Sequence, residues 1–137
     1  MTVHNITTYV CHQSPISILV NCSHAFYPLL RHLQNPTAPI DAWKQALKDN
    51  KVVMLDCFAT WCGPCKAIAP ILANHSNDEK YKDVFFAKID VDDLPELSQE
   101  LGIRAMPTFM MFKDGEKADE LVGANPNALV TLLDKGL

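Results

Sequence analysis

The sequence predicts a single domain of the α/β class, with one layer of β-strands packed between helices on both faces. Three observations support this prediction. The 137 residues are 48% apolar and 20% charged, close to the averages for globular domains. Helical and strand periodicities alternate from Asp41 onward. A chain of roughly 150 residues buries about 68% of its unfolded surface, so its core needs neither disulfides nor a structural metal.

Charge and hydropathy exclude several function classes. The formal net charge of -4 and the pI near 5.6 argue against binding to nucleic acid or to an anionic membrane, which requires clustered Lys and Arg. The longest apolar runs have four residues, whereas a membrane span needs about 20. We therefore expect a soluble protein with protein or small-molecule partners.

The first forty residues differ in composition from the rest. Arg31 is the only charged residue before Asp41, so we divide the chain into an N-terminal extension over 1–39 and a domain over 40–137. A secretory signal is disfavoured because no Lys or Arg precedes an apolar stretch. A mitochondrial presequence remains open, since the segment is rich in Ser and poor in acidic residues but lacks the usual Arg content.

Helices and strands follow in a regular order after this boundary. Asp41 is predicted to cap a helix that ends near residue 49, and the almost continuous apolar run over 52–58 is typical of a strand buried on both faces. A long helix over 66–82 is predicted to kink at Pro70. The remaining elements are a strand over 84–89, a short helix over 94–101 capped by the acidic run 90–93 and ended by Gly102, a strand over 108–112, a turn over 113–116, an antiparallel strand over 117–122, and a final helix begun by Asn125 and Pro126.

The reactive residues are concentrated between the first predicted strand and the long helix, in the sequence WCGPCK at 61–66. Cysteines three residues apart at such a junction are neighbours on one helical face and can form a disulfide. Cys62 is expected at the helix N-terminus, where unsatisfied N–H groups stabilise a thiolate, so we predict that it is the more reactive of the pair. Half of a zinc site is the alternative, but no second C-x-x-C or H-x-x-x-H follows.

The motif and three further features resemble the thioredoxin family. These are Asp56, six residues before Cys62, the segment GIRAMPTF at 102–109 and the turn VGA at 122–124. The resemblance covers about residues 40–137. The residues in these motif segments are similar to those of eukaryotic, especially fungal, members. It implies the thioredoxin fold, a central mixed sheet flanked by helices on both faces.

The resemblance further implies a protein-disulfide reductase that maintains cellular redox homeostasis. Cys62 would attack a substrate disulfide and Cys65 would resolve the mixed disulfide, leaving a Cys62–Cys65 disulfide. Electrons would come from NADPH through thioredoxin reductase, without a bound cofactor or metal. Implied partners are thioredoxin reductase and disulfide-containing proteins such as peroxiredoxins, methionine sulfoxide reductase and ribonucleotide reductase. We expect a monomer in the cytoplasm, or in mitochondria if 1–39 is a presequence.

Other site residues are carried over from the same resemblance. Asp56 matches the buried proton acceptor of Cys65, with a pKa raised by desolvation, and Lys88 matches the lysine that tunes it. The alternatives are an Asp56 satisfied by backbone donors and a Lys88 that is only a solvated surface charge. Pro107 matches a cis-proline that leaves the Met106 backbone free to pair with an extended substrate. The implied apolar rim for substrate docking comprises Trp61, Gly63, Pro64, Gly123 and Ala124; for Trp61 the alternative is core packing.

Two other function classes remain as alternatives. A secretory oxidase or isomerase of this fold usually has His before the second cysteine, where this chain has Pro64. A non-catalytic adaptor would tolerate loss of a cysteine, and both are present. Within the extension, residues 3–8 have strand composition, unlike the Pro-containing residues before Asp41. We predict that 3–8 form the edge strand and that 9–38 are an insertion, the alternative being a cleaved presequence.

Overall fold

The structure is a computed structural model that describes residues 16–18 and 38–137. Its elements in chain order are β1 (Ile16–Ile18), α1 (Ala38–Asp49), β2 (Val52–Phe58), α2 (Gly63–Ser76), a 3₁₀ turn (Glu79–Tyr81), β3 (Phe85–Asp90), α3 (Pro95–Glu100), β4 (Thr108–Lys113), β5 (Glu116–Val122) and α4 (Pro126–Gly136). The predicted alternation of strands and helices is confirmed from the first helix to the last.

The strands form a mixed sheet in the order β1-β3-β2-β4-β5. β2 and β3 are parallel, and β4 runs antiparallel to both β2 and β5. β2 lies at the centre because nearly every residue in it is apolar and can be buried on either face. Its register places Asp56 opposite Lys88 of β3 and Phe109 of β4.

Each face of the sheet carries its own hydrophobic cluster, which confirms helices on both faces. On the α2–α4 face, Met54 and Phe109 pack with Leu72 of α2 and Leu129 of α4. The opposite α1–α3 face is built around Trp43, Leu55, Leu97 and Phe112, with the Trp43 and Phe112 rings edge to face at a centroid distance of 5.1 Å. Successive β2 side chains alternate between the two faces.

The first two helices have different bounds from those predicted. The helix α1 begins at Ala38, so the predicted cap at Asp41 is wrong and Asp41 lies in the first turn. Pro39 permits the earlier start because the first turn needs no proline N–H. The helix α2 begins at Gly63 rather than residue 66. This start agrees with the expected position of Cys62 at the helix N-terminus, and Pro64 lies in the first turn, where its missing N–H needs no partner.

The long helix predicted to reach residue 82 ends at Ser76 instead. The Asn77 backbone N–H donates to Asn74 and His75 carbonyls, and the Asp78 side chain caps the separate 3₁₀ turn by accepting a 3.0 Å hydrogen bond from the Lys80 backbone N–H. Short polar side chains such as these compete with helix continuation. Pro70 lies inside α2, as expected.

The acidic run 90–93 does not cap α3, contrary to expectation. The N-cap position is Leu94, which makes no side-chain cap hydrogen bond. The predicted end at Gly102 is confirmed, since this residue has φ +72° just past the helix, a conformation that favours glycine. The acidic residues are therefore available for other contacts.

At the sheet edge, Ile16–Ile18 pair antiparallel with β3, with Ile16 opposite Ile89 and Ile18 opposite Ala87. This strand falls within the stretch 9–38 predicted as an insertion. The strand predicted over 3–8 lies outside the described residues. The division of the chain at residues 39 and 40 stays a prediction as well.

Candidate active site

The two motif cysteines form a disulfide at the start of α2. Cys62 is the N-cap residue, and Cys65 lies one turn inside, with 5.3 Å between their Cα atoms. The Cys65 backbone N–H donates a 3.2 Å hydrogen bond to Cys62 Sγ. The same donor would stabilise a Cys62 thiolate, together with the positive end of the helix dipole.

Local sequence explains why the pair stands at this junction. The Cys62 N–H donates to the Ala59 carbonyl over 3.1 Å, closing a turn just after β2. Pro64 then occupies the first helical turn, where its fixed φ favours helix initiation. Exposure does not distinguish the two cysteines, which are 4% and 6% exposed; the hydrogen bond to Cys62 Sγ does.

Asp56 is a buried carboxyl group on the α2–α4 face of β2. Only 7% of the residue is exposed, and within residues 38–137 no donor reaches its Oδ1 atom. Burial raises its pKa from 3.8 to about 6, and the Lys88 charge opposes this shift in part. The alternative of a carboxylate fully satisfied by backbone donors therefore finds no support at Oδ1.

Lys88 is the cross-strand neighbour of Asp56 in β3. Its side chain is partly buried, and the ammonium lies 5.1 Å from the centroid of the Phe58 ring. The charge acts on Asp56 without forming a close ion pair. The structure thus brings the two residues together, as the resemblance implied, and disfavours a freely solvated Lys88.

The Met106–Pro107 peptide bond is cis, and its surroundings join two more predicted site residues to the cysteines. The Met106 side chain packs against the cluster of Ala59, Cys62 and Cys65. The Gly123 N–H donates to the Pro107 carbonyl over 2.8 Å, with Gly123 at φ +104°, where other residues would be strained.

Trp61 lies at the surface with 67% of the residue exposed, so the core-packing alternative for it is wrong. Its indole N–H donates a 2.7 Å hydrogen bond to Asp92 Oδ2. The Asp92 backbone N–H in turn donates to Asp90 Oδ1 over 3.0 Å. Sequence reasoning missed this role of Asp92, because it treated the acidic run only as a helix cap.

The remaining rim residues are exposed beside the motif or the Gly123 turn. Gly63, Pro64 and Ala124 are exposed and Gly123 is partly exposed. Val122, not predicted as part of the rim, is 57% exposed next to Gly123. The alternation of β5 side chains, with Leu121 packed against the core, would have predicted an outward Val122.

Cys57 follows Asp56 in the chain but lies in the cluster of the α1–α3 face. It is a buried free cysteine, and burial, with the nearby Asp56 charge, raises the pKa of its thiol. A neutral buried thiol is a poor nucleophile. We therefore expect the Cys57 thiol to be inert.

The described residues show neither a metal-binding cluster nor a membrane-spanning helix. Residues 16–18 and 38–137 contain no group of three or more His, Cys, Asp or Glu side chains arranged to hold a metal ion. None of the helices there combines the length and apolar character needed to cross a bilayer.

Comparison with protein families finds a match over residues 36–135 to the family model described as Thioredoxin. Thioredoxin-2 of Pyricularia oryzae is 54% identical over 91 residues, which are 66% of this chain and 52% of that protein. Thioredoxin Asp f 29 of Aspergillus fumigatus is 61% identical over 77 residues, 56% of this chain and 70% of that protein. Thioredoxin of Coprinus comatus is 47% identical over 98 residues, 72% of this chain and 92% of that protein.

Solved structures show the same fold. Mitochondrial thioredoxin 3 of Saccharomyces cerevisiae, in its oxidised form, matches with a TM-score of 0.66 and 38% identity, covering 70% of this chain and 89% of that chain. Malassezia sympodialis thioredoxin matches with a TM-score of 0.66 and 45% identity, covering 70% of this chain and 84% of that chain. A third match comes from a study of thiol resolution in a yeast mitochondrial 1-Cys peroxiredoxin via glutathione/thioredoxin systems. That chain has a TM-score of 0.65 and 38% identity, and the match covers 69% of this chain and 88% of that chain.

Proposed function

Because this chain belongs to the thioredoxin family, we propose that it is a protein-disulfide reductase that maintains cellular redox homeostasis. It has the thioredoxin fold and the Cys62–Cys65 redox disulfide of a thiol–disulfide oxidoreductase. The observation that carries the proposal is the placement of this disulfide at the N-terminus of α2, with a backbone N–H directed at Cys62 Sγ. The arrangement favours one sulfur as the attacking thiolate.

In the proposed reaction, the reduced protein donates two electrons to a substrate disulfide. Cys62 Sγ attacks one substrate sulfur, the substrate S–S bond breaks, and the other substrate sulfur leaves as a thiolate. Cys65 then attacks Cys62 Sγ, forming the intramolecular disulfide and releasing the second substrate thiolate. The disulfide in the structure is the product of this sequence.

Asp56 is proposed to accept the Cys65 proton before the second attack. With a pKa of about 6, the carboxyl group is mostly ionised at neutral pH yet is a stronger base than an ordinary Asp. Its Oδ1 atom has no hydrogen-bond partner within the described domain, which leaves it able to take a proton. The Lys88 charge keeps the pKa from rising further, the tuning role we propose for that residue.

Substrates are proposed to dock as extended segments beside the cysteines. Among the described residues, none of the backbone hydrogen bonds outside helices and strands involves Met106, so its N–H and carbonyl are available to an added strand. Trp61, Gly63, Pro64, Gly123 and Ala124 supply a surface without bulky charge around it. Recognition through backbone and shape suits a reductase with many protein substrates.

Electrons are proposed to come from NADPH through thioredoxin reductase, with no bound cofactor. Disulfide-containing partners of the peroxiredoxin, methionine sulfoxide reductase and ribonucleotide reductase classes fit the docking mode. A peroxiredoxin partner is supported by the similar structure that comes from the study of the yeast mitochondrial 1-Cys peroxiredoxin. We propose a cytoplasmic monomer, with mitochondria as the alternative if the N-terminal segment is a presequence.

Reduction of insulin disulfides, followed by NADPH consumption in the presence of thioredoxin reductase, tests this function. We expect turnover with the full chain and none with Cys62→Ser. A second assay replaces the reductase and NADPH with dithiothreitol. Activity in the second assay alone would contradict the proposed electron source but keep the reductase function. Lack of activity in both would favour an adaptor, and preferential formation of disulfides in a reduced substrate would favour an oxidase.

A further inference from the structure

We infer that Met106 is a site of reversible oxidation by hydroperoxides, and that its oxidation switches off substrate docking. The exposures of the methionines point to this residue. Met54, Met110 and Met111 are 0%, 1% and 0% exposed, whereas Met106 is partly exposed. Within the part of the chain that the structure describes, it is the one methionine open to solvent, and methionine oxidation follows exposure.

The position of Met106 links this sulfur to the redox site. Its side chain packs against Ala59, Cys62 and Cys65, and the following residue, Pro107, is tied to the Gly123 turn by a hydrogen bond. The side chain is therefore held beside the disulfide rather than on a remote surface. Because Met106 is partly exposed, a small oxidant can reach this side chain beside the disulfide.

The oxidised state of the cysteines leaves Met106 as the reactive sulfur of the site. In the Cys62–Cys65 disulfide neither sulfur is a thiolate, and the thiolate is the form that peroxides attack. Cys57 is buried, and burial raises the pKa of its thiol. Oxidation of Met106 is thus expected when oxidant outpaces the supply of electrons and the disulfide form accumulates.

The chemical step is a two-electron oxygen transfer from a hydroperoxide. The Met106 thioether sulfur attacks the terminal peroxide oxygen, an S–O bond forms and the O–O bond breaks. The transferred oxygen gives up its hydroxyl proton, and the leaving oxygen takes up a proton and departs as water from hydrogen peroxide, or as an alcohol from an organic hydroperoxide. The methionine is oxidised to its sulfoxide and the peroxide is reduced.

The functional consequence rests on the proposed reductase function, whereas the oxidation itself does not. A sulfoxide is polar and chiral, in contrast to the flexible apolar thioether. At Met106 this change occurs in the side chain that packs against the cluster containing the cysteine pair, next to the backbone proposed to pair with substrates. Oxidation should therefore hinder docking, and a methionine sulfoxide reductase should restore it.

Peptide mapping by mass spectrometry tests the oxidation site directly. The full chain in its disulfide form is treated with hydrogen peroxide, and oxygen addition is followed at each methionine. We expect oxidation at Met106 about tenfold or more faster than at Met54, Met110 and Met111, because susceptibility follows exposure. Equal rates at Met106 and the three buried methionines would overturn the inference. This result does not depend on reductase activity.

Insulin reduction before and after peroxide treatment tests the switch. Met106→Leu keeps a similar apolar volume and is compared only with its own untreated activity. We expect the wild type to lose most of its activity, the variant to keep its own, and a methionine sulfoxide reductase supplied with dithiothreitol to restore the wild type.

Cys11, Cys22 and Cys57 are present in both proteins, so equal losses would assign the damage to cysteines and overturn the switch. An unchanged wild type with mapped Met106 sulfoxide would also overturn it. An inactive untreated wild type would instead contradict the proposed reductase function.

Discussion

The two faces of the sheet differ in what they bury, although they share the same central strand. The α1–α3 face is an apolar cluster that contains one titratable residue of β2, Cys57, whose buried thiol stays neutral. The α2–α4 face is apolar near Met54 but contains the Asp56 carboxyl two residues later. Adjacent residues of one strand thus lie in opposite environments, because side chains alternate between faces.

Within one small domain, the buried carboxyl group proposed to take part in the reaction therefore lies on one face of the sheet, and the opposite face contributes apolar packing to stability. An unpartnered buried carboxyl group costs folding free energy, so the face that contains it depends on the rest of the core for stability. The α1–α3 face supplies well-packed aromatic and aliphatic contacts without such a cost. A variant that weakens the α1–α3 face should therefore lower the free energy of unfolding without changing activity, whereas a variant that neutralises Asp56 should raise the free energy of unfolding and lower activity.

The largest expected effect is on activity, from the cysteines at the start of α2. Cys62→Ser should abolish insulin reduction because the attacking thiolate is lost. Cys65→Ser should retain the first attack and accumulate mixed disulfides with substrates, detected on non-reducing gels. These two variants control for each other, since both remove the internal disulfide. Substrate trapping by Cys62→Ser instead would reverse the assigned roles.

The next largest effect is on stability, from the α1–α3 face. Trp43→Ala should lower the free energy of unfolding by about 3–5 kcal/mol, as expected for deletion of a large buried aromatic side chain. Trp43 is 6% exposed and contacts Phe112. Urea denaturation measures the loss.

Insulin reduction per folded molecule should be unchanged in Trp43→Ala, because this face lacks the reacting groups. Trp43→Phe is the matched control, with a smaller loss of stability. A loss of specific activity in folded Trp43→Ala would contradict the separation of the two faces.

A smaller effect on stability, of opposite sign, is expected for Asp56→Asn. The folded-state pKa is raised from 3.8 to about 6, so the native state binds more protons than the unfolded state between these values, and stability falls as pH rises through this window. The loss is complete above the folded-state pKa and corresponds to at most about 3 kcal/mol, at 1.36 kcal/mol per pKa unit. Asp56→Asn should therefore be more stable than the wild type above about pH 7 and lose this advantage below about pH 4.

The same variant should resolve mixed disulfides more slowly, because the amide cannot accept the Cys65 proton. Urea denaturation at both pH values and rapid-quench trapping of the mixed disulfide measure the two effects. Unchanged resolution together with lower stability at neutral pH would show that Asp56 has only a structural role.

Local patterns in the sequence were enough to predict the α/β fold class and the cysteine pair, whereas the thioredoxin fold was implied by the family resemblance. Continuous apolar residues in β2 and the Cys-Gly-Pro-Cys spacing are local signals. Asp56, Lys88 and Pro107 came from family resemblance, because the apposition of strands far apart in the chain cannot be deduced from periodicity. Helix ends were predicted less well, since Pro39 lies in the first turn of α1 and Asn77 ends α2.

The contact between Trp61 and Asp92 was not predictable from local patterns. The two residues are 31 positions apart, and an acidic residue just before a helix ordinarily indicates a cap. Only the parallel pairing of β2 with β3 brings the ends of the two strands, and the loops that follow them, to the same edge of the sheet. Asp92 can therefore be assigned a role only from the structure.

The smallest expected effect tests that role. Asp92→Ala removes the acceptor of the Trp61 indole N–H, and a hydrogen bond of this kind contributes about 0.5–1.5 kcal/mol. Because Trp61 belongs to the proposed docking rim, we expect KM for insulin to rise about 2–10-fold, the range equivalent to that energy, with kcat little changed.

Asp92→Asn keeps an oxygen acceptor and should restore most of the affinity, whereas Asp93→Ala controls for loss of an adjacent negative charge. Trp61 fluorescence, with Trp43 buried and constant, should report the freed indole in Asp92→Ala alone. An equal rise in KM for Asp92→Ala and Asp93→Ala would show that charge near the site, rather than the position of Trp61, governs docking.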